Sequence, residues 1–458
     1  MTQSADSTPG TGPASGRAKA GRGPLRRWVR EHLAWNQLFR IVSYSRSSLW
    51  VVPIVAVFVQ VLVFRVLVFI DQWVTWDVTG LGMEGTRALL QTVITLTLSF
   101  VVFTFGSMLV ALQVASGQMT PRIIATLLLR DRVIKYSVGL NVFTMRFAIS
   151  ALNRAAETVH QLVTLVTIVL GLASLAGFLF LIDYTARLLR PVSIVSLVCD
   201  EGMAVVRGVY SQEGAEDKPL SAGPIGEPAR VVLHEGRSQS VLAVDVDALV
   251  AEARRLDGVI EFVPQVGDFL ATDEPIFNLY GGTAAIDDDV LRETVALGSE
   301  RTMEQDPMFS FRILVDIALK ALSPAINDPT TAVLAIDQVH RLLRFVGQRR
   351  LHDDTVHDSA GRPRLILRTP NWADFVHVSC CEIRACGANN VQIARRMRAM
   401  LENLIHSLPE PRHAVLLEQL ELLDRAVVDQ FPYAEDRALA RIADSQGLGG
   451  AARRGSRA

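Results

Sequence analysis

The uncharged run from Ala88 to Pro121 is the feature that most constrains this chain. It contains no Asp, Glu, Lys, Arg or His over 34 residues. A helix rises about 1.5 Å per residue, so this run would extend roughly 50 Å, whereas the hydrocarbon core of a bilayer is about 30 Å thick. We therefore expect a membrane-spanning helix that protrudes on one side through its polar end, Gln113 to Thr120.

Hydroxyl side chains are frequent in this run: Thr92, Thr95, Thr97, Ser99, Thr104 and Ser107. Two interpretations stay open. Such hydroxyls commonly bond back to their own helix or face neighbouring helices. Alternatively they line a hydrated path, for which the candidate residues are Thr95, Ser99, Ser107 and Gln113. Ser107 also begins a ladder of small side chains at every fourth position, which permits close helix contact.

Three further apolar stretches accompany this run. The predicted spans are about 48–70, 88–114, 133–152 and 161–182. The third is the weakest, because it carries Lys135 and Arg146. The predicted fold is a mainly α membrane protein, with a four-helix transmembrane domain over 47–185 followed by a cytoplasmic α+β region. A span needs about 20 predominantly apolar residues, which each stretch approaches or exceeds.

The distribution of basic residues predicts the orientation. The arm 1–46, the second connection and the segment after the fourth span are basic, whereas the first connection (71–87) has three acids and one arginine. Cytoplasmic loops carry the excess of Lys and Arg. We therefore predict four spans with both termini in the cytoplasm; the resemblance described below implies that the membrane is the bacterial cytoplasmic (inner) membrane. The net charge of −1 gives no sign of a nucleic-acid binder.

Arg65 and Arg146 lie inside predicted spans, in the half remote from the cytoplasm. Charges in a membrane suggest function, here an anion-attracting vestibule that would make both residues part of the membrane path. The alternative is that both side chains extend to the headgroups, or pair with Asp71 or Glu157. Their position near the surface favours this alternative.

After the spans the chain divides into several segments. We predict a helix and linker over 186–228, a small β module over 229–283, a mostly helical domain over 284–444 and a disordered tail over 445–458. Short β-type runs fall at 230–234, 240–244, 258–263 and 275–280. The phrase Val266–Phe277 resembles the turn of biotinyl/lipoyl-like barrel-sandwich domains, with Asp273 in place of the second glycine. No lysine occurs between 219 and 319, so a prosthetic-group carrier is excluded.

The stretch Gly298–Arg344 concentrates polar detail around the connector SPAINDP (323–329). The candidate polar network consists of Arg301, Asp306, Arg312, Asp316, Ser323, Asn327 and Asp328. Some of these residues mark helix ends, since Asp is a good N-cap and Pro suits the first helical position. Arg312 and Asp316 read either as a solvated charged stripe or as a semi-buried network that fixes the connector. The free backbone N–H groups at the start of the second helix suggest a binding site for an anion or for a carboxylate of a partner.

The cysteines and an acidic cluster are the residues that could suggest a metal site. Cys380, Cys381 and Cys386 with His377 lack a C-x-x-C pair, so buried reduced cysteines explain them better than a metal site. The acids at 287–289 suit a helix start. The common phosphate-loop, zinc-protease and hydrolase motifs are absent from the sequence. We therefore predict no enzyme, no cofactor and no metal.

Three long motifs carry a resemblance to a known family. They are Ala111–Ile123 (ALQVASGQMTPRI), Gly298–Pro307 (GSERTMEQDP) and Arg312–Ala332 (RILVDIALKALSPAINDPTTA). They resemble the signatures of the predicted bacterial integral membrane proteins called domain of unknown function 2254. The likeness spans about 35–429 and implies a four-span inner-membrane protein with a cytoplasmic domain. It implies no activity.

Two functional hypotheses follow. The first is a homo-oligomeric channel or transport-related protein in which the second span lines the path. The second is a membrane-anchored regulatory or scaffold protein whose cytoplasmic domain binds a ligand or partner near the connector. The lipid bilayer and further copies of the chain are the expected partners.

Overall fold

The computed structural model describes residues 34–71, 73, 80–118, 131–155, 160–214, 226–351 and 354–448. Within these ranges the protein is mainly helical, with a mixed sheet region in its C-terminal half. The first 33 residues, most of the linker (215–225) and the last ten residues lie outside the described part of the chain.

Four long helices follow a shorter one at the start of the described chain. They are α1 (Trp35–Ser47), α2 (Val51–Asp71), α3 (Met83–Gln118), α4 (Arg132–Arg154) and α5 (Gln161–Leu188). Each predicted span coincides with one of α2 to α5. Among the described residues, α2, α3 and α5 are long and apolar enough to cross a membrane.

The helix α4 differs from its three neighbours because it is more polar and more buried. It contacts α2, α3 and α5, so the three apolar helices surround it. Its buried residues include Lys135, Asn141 and Thr144. The four helices α2 to α5 are called the bundle below. The polar residues that make this the weakest predicted span therefore face other helices.

A break in the chain direction separates the bundle from the helix that follows it. The helix α5 ends at Leu188, and α6 (Pro191–Val209) begins after a two-residue turn. Pro191 has no backbone N–H and restricts the residue before it, so it starts a helix and cannot continue one. The break after Leu188 therefore has a local cause in the sequence.

The predicted N-terminal arm, 1–46, contains structure at its end. Residues from Trp35 form α1, in which Trp35 stacks on Phe39 with ring centroids 5.4 Å apart. The two rings pack against Leu242 and Ala296 of the sheet region. The end of the predicted basic arm is thus a helix whose apolar side chains, one turn apart, bury against the strands.

The β region contains eight strands, one short helix between the second and third and another after the fifth. In chain order they are β1 (Arg230–Leu233), β2 (Gln239–Val244), α7 (Val246–Arg255), β3 (Gly258–Phe262), β4 (Phe269–Leu270), β5 (Pro275–Gly281), α8 (Asp288–Arg292), β6 (Val295–Gly298), β7 (Thr355–His357) and β8 (Pro363–Leu367). One sheet has the order β1-β5-β3-β8-β7 and the other β4-β2-β6. The pair β3–β8 is parallel and the other pairs are antiparallel.

The sheets extend beyond the predicted module 229–283, because β6, β7 and β8 come from later in the chain. Between β6 and β7 lie α9 (Pro307–Leu322) and α10 (Pro329–Gly347). After β8 follow α11 (Trp372–Gly387), α12 (Val391–Ser407), α13 (His413–Gln430) and α14 (Ala434–Ala440). The strands and helices are therefore interleaved, and residues 191–448 together are called the C-terminal body.

One hydrophobic core runs from the bundle into the C-terminal body. Met108 and Leu181 of the bundle share it with Val195 of α6 and Leu314 of α9. The last described residues are also held by the C-terminal body, since Gln392 Nε2 donates to Gly447 O over 2.8 Å. The predicted disordered tail is thus ordered over 445–448, and its remainder lies outside the described residues.

Close contact between α6 and α9 makes Gly202 a sensitive position. A Cβ at Gly202 would lie 2.5 Å from Ser310 Oγ, whereas one at Gly208 on the same helix would meet nothing within 4 Å. Alanine in a helix is normally favoured over glycine by about 1 kcal/mol. We expect Gly208→Ala to raise or maintain the Tm in detergent. Gly202→Ala should lower it, because overpacking costs about 1–3 kcal/mol. Equal changes in Tm for the two variants would contradict the close contact between α6 and α9.

Candidate functional site

The predicted polar network of 298–344 divides into three groups in the structure. Arg301 pairs with Asp306, Arg312 pairs with Asp316, and the connector residues bond among themselves. Each group has its own partners. The predicted network therefore consists of three separate groups of interactions, which lie along α9 and at its two ends.

The first group joins the β region to α9. Arg301 reaches Asp306 Oδ2 with Nη2 at 2.6 Å and Nε at 3.0 Å, and Asp306 is 2% exposed. Asp306 Oδ1 accepts the Phe309 N–H at 3.1 Å, so the carboxylate also caps α9. Burial raises the pKa of Asp306, while Arg301 and the helix N–H oppose that rise. The charged carboxylate depends on both partners.

Gly267 closes this group from the side of the sheets. Its φ is +98°, and a Cβ there would lie 2.3 Å from Arg301 Nη2 and 2.4 Å from Asp306 Oδ2. The turn predicted from Val266–Phe277 therefore rests directly on the Arg301–Asp306 pair. Asp273, which replaces the second glycine of that pattern, has φ +66°. This is the left-handed conformation that the glycine would have supplied.

The second group joins α9 to α11. Arg312 Nε donates to Asp316 Oδ1 at 2.7 Å and Arg312 Nη2 to Glu382 Oε2 at 2.9 Å. Arg312 lowers the pKa of Glu382. All three side chains are partly exposed, at 33%, 34% and 51%. The interpretation as side-chain pairs on a solvated face fits, with the addition that one partner comes from another helix.

The connector residues form the end of α9 and the start of α10. Ser323 ends α9, and Asn327 has φ +48° with its N–H donating to Ser323 O at 2.8 Å. Asp328 caps α10 by accepting the Thr331 N–H at 3.1 Å and the Thr331 hydroxyl at 2.6 Å. Asn tolerates the left-handed region better than most residues. A carboxylate of the chain itself thus takes the place suggested for an anion.

The candidate path residues on α3 bond to their own helix. Thr95 donates to Gln91 O at 2.9 Å, Ser99 to Thr95 O at 2.8 Å and Ser107 to Thr104 O at 3.1 Å. Thr95, Ser99, Ser107 and Gln113 are nevertheless all exposed. The hydroxyls are satisfied locally and still face outward from the chain.

Several of these residues lie on one outward stripe of α3. Positions spaced alternately three and four apart are all exposed: Thr92, Thr95, Ser99, Val102, Gly106, Leu109 and Gln113. They are called the α3 stripe below. A Cβ at Gly106 would meet nothing within 4 Å. This spacing is the one that brings a single face of a helix to a partner helix.

The two intramembrane arginines are not brought together with Asp71. Arg65 is exposed and Arg146 is half-buried. Asp71 instead contacts His160 Nδ1 at 2.7 Å and accepts the Leu162 N–H at 2.8 Å. Asp71 therefore fastens the end of α2 to the start of α5. Glu157 lies outside the described residues.

The sequence reasoning missed a polar seam inside the bundle. Gln60 Nε2 donates to Ser150 Oγ at 3.2 Å, and Ser174 Oγ donates to Thr144 Oγ1 at 2.9 Å. Among the described residues, Asn141 Oδ1 and Gln60 Oε1 have no hydrogen-bond partner. A signal was present, since Asn141 and Thr144 lie three residues apart on one face of the weakest span.

The cysteines do not form a site with His377. Cys380 is buried and Cys386 is exposed. Burial raises the pKa of Cys380 to about 12, so its thiol stays protonated. Over the described ranges, no group of three potential ligands could hold a metal ion.

The difference between the two helix caps can be tested. Asp306→Ala removes a cap and the partner of Arg301, so we expect a loss of roughly 2–4 kcal/mol, less than for a fully buried pair because Arg301 is 38% exposed. Asp328→Ala removes a cap and the bond to the Thr331 hydroxyl but no ion pair, and it should cost about 1 kcal/mol. Asp306→Asn keeps a capping oxygen and should fall between them. Thermal unfolding in detergent gives the order, and equal losses would contradict it.

Comparisons with known proteins agree with the motif resemblance. Residues 46–403 match the family model described as "Predicted membrane protein (DUF2254)". The chain is also similar to uncharacterized proteins of Mycobacterium bovis (Mb1321c) and Mycobacterium tuberculosis (Rv1290c). Each is 27% identical over 431 residues, covering 88% of this chain and 81% of the relative. No solved structure matches the chain. The chain therefore belongs to the DUF2254 family of predicted membrane proteins.

Proposed function

We propose that this protein crosses the bacterial cytoplasmic membrane four times, with the N terminus and the C-terminal body in the cytoplasm. The burial of α4 supports the fourth crossing. A helix that carries Lys135 and Arg146 is costly in contact with lipid, but α4 lies among three apolar helices. The basic residues Arg132, Arg187 and Arg190 all lie where the bundle meets the C-terminal body, which supports the orientation.

Reporter fusions test this topology. Four crossings place both ends of the chain on one side, whereas three crossings place them on opposite sides. We expect green fluorescent protein to fluoresce when fused after residue 458 and when fused before residue 1. Alkaline phosphatase inserted at Gly80 should be active, because that loop would face the periplasm. A fluorescent fusion at one end only would contradict four crossings.

We further propose that copies of the chain associate through the α3 stripe and form a path for ions or small polar solutes. The observation that carries this proposal is the stripe itself. Three hydroxyls, a glycine and a glutamine occupy an exposed face of the most strongly uncharged span. Lipid gives no driving force for such residues to face it, whereas a second helix can approach closely at Gly106 and Ser99.

The chemistry of the stripe bears on what would pass. Residues 88–121 contain no ionisable side chain, so a path along α3 has no charged ring. Selectivity would then come from width and from oxygen atoms. The Thr95 and Ser99 hydroxyls donate to helix carbonyls, which leaves their oxygen lone pairs available as acceptors. Acceptor oxygens along a path favour cations over anions.

Substitutions on the stripe separate assembly from conduction. Gly106→Leu fills space that is open in the single chain, so it should leave the fold intact and weaken self-association roughly tenfold, since overpacking a close contact costs about 1–3 kcal/mol. Ala176→Leu, on an exposed face of α5, is the matched control. Thr95→Val with Ser99→Ala should keep the oligomer and reduce the conductance in planar bilayers.

The measurement is the mass of the purified protein in nanodiscs together with bilayer recordings. Wild-type protein that stays monomeric and passes no ions would overturn the channel proposal.

That outcome would favour a second candidate function, a membrane-anchored regulatory or scaffold protein. The specific observation behind it is the core shared by bundle and C-terminal body, with α1 packed on the sheets. A shift in the body would thereby reach the membrane helices.

A further inference from the structure

A cavity of about 210 Å³ opens between α3, α4 and α5 where they approach the C-terminal body. Its walls are mainly apolar and include Phe103, Met108, Ile134, Phe178 and Leu181. Phe103 is 55% exposed, so the cavity borders the lipid-facing surface. An apolar cavity of about 150 Å³ is enough to hold benzene, so this volume exceeds the needs of one aromatic ring. It therefore suits a segment of one chain-like apolar molecule, and not a whole lipid.

One buried hydroxyl at this cavity has no partner. Thr104 lines the cavity, is 6% exposed, and its Oγ1 forms no hydrogen bond among the described residues. Thr92, Thr95 and Thr97 of the same helix all donate to helix carbonyls. Leaving a buried hydroxyl unpaired costs about 1–3 kcal/mol. A ligand with an acceptor oxygen in the cavity would remove that cost.

Arginines flank the lining residues of the cavity in the chain. Leu189 and Ala186 line it and are followed by Arg190 and Arg187, and Ile134 lines it two residues after Arg132. All three arginines are exposed.

Two acids also lie at this end of the bundle, and both are engaged. Asp183 pairs with Arg187 at 3.0 Å. Asp131 accepts the Tyr184 hydroxyl at 2.6 Å and the Ile134 N–H at 3.1 Å. Arg132 and Arg190 remain to present positive charge at the level of the lipid headgroups.

We propose that this cavity is a binding site for an anionic phospholipid of the leaflet next to the C-terminal body. The phosphate lies between Arg132 and Arg190, an ester carbonyl accepts from Thr104 Oγ1, and the first methylenes of one acyl chain fill the apolar cavity. The site lies on the core shared with α6 and α9, so bound lipid contacts the joint between bundle and body. It is formed within one chain and does not depend on the α3 stripe.

Native mass spectrometry of the detergent-purified full chain tests the proposal with phosphatidylglycerol and phosphatidylcholine of equal chain length. Wild-type protein should retain phosphatidylglycerol in preference to phosphatidylcholine. Arg132→Gln with Arg190→Gln should reduce that preference roughly 25-fold, since each basic side chain near an anionic surface contributes a factor of about five. Arg40→Gln with Arg254→Gln, two exposed arginines elsewhere, is the matched control and should change nothing.

A second pair of variants tests the cavity itself. Ala186→Phe places a ring at the cavity mouth and should reduce retention of both lipids at least tenfold. Ala176→Phe, exposed on the same helix but outside the cavity, should retain them. Thr104→Val should weaken both lipids severalfold while the preference persists.

The proposal is overturned if wild-type protein retains both lipids equally, or if Ala186→Phe and Ala176→Phe behave alike. The comparison on wild-type protein decides even if a variant fails to fold. Gly106→Leu should leave lipid retention unchanged, which separates this site from the proposed assembly.

Discussion

Most polar side chains of α4 that lie within the bundle find hydrogen-bond partners there. In a bilayer an unsatisfied polar group costs several kcal/mol, and neither water nor lipid is available to satisfy it. Thr144 bonds to Ser174, Ser150 to Gln60, and Lys135 donates to the carbonyl of Arg46 at the end of α1. The three apolar helices then surround α4. These hydrogen bonds fix the register of α4 against α2 and α5, which apolar contacts alone would leave free to slide.

The same contacts explain why bundle and body form one structure. Lys135 lies in the first turn of α4 and holds the end of α1, whose other end packs on the sheets through Trp35 and Phe39. At the opposite end of the bundle, Asp71 fastens α2 to α5. Because Met108 and Leu181 share a core with α6 and α9, a displacement of α3 or α5 would disturb the packing of the C-terminal body.

Local chemistry was predictable from the sequence, and long-range pairing was not. Asp306, Asp328 and Asp287 each cap the helix that the residue pattern predicts, because capping depends on neighbours within one turn. The strands β1, β2, β3 and β5 also fall within a residue or two of their predicted limits. By contrast, the contacts of Gly267 with Arg301 and Asp306, and of Arg312 with Glu382, join residues between 34 and 70 positions apart. A periodic sequence pattern gives no information about contacts between residues so far apart in the chain, and the same holds for Gln60 with Ser150.

The parallel pairing of β3 with β8 has a consequence for how this protein is made. Ile260 pairs with Leu365, which the ribosome adds 105 residues later. At about 5–20 residues per second, the inner edge of β3 waits roughly 5–20 s for its neighbour. During that interval the bundle has already left the ribosome, and α9 and α10 are synthesised before the sheet can close. The edge strand is exposed to wrong partners for as long as the helical hairpin takes to emerge, so the growing chain is most vulnerable to aggregation after its membrane helices are complete.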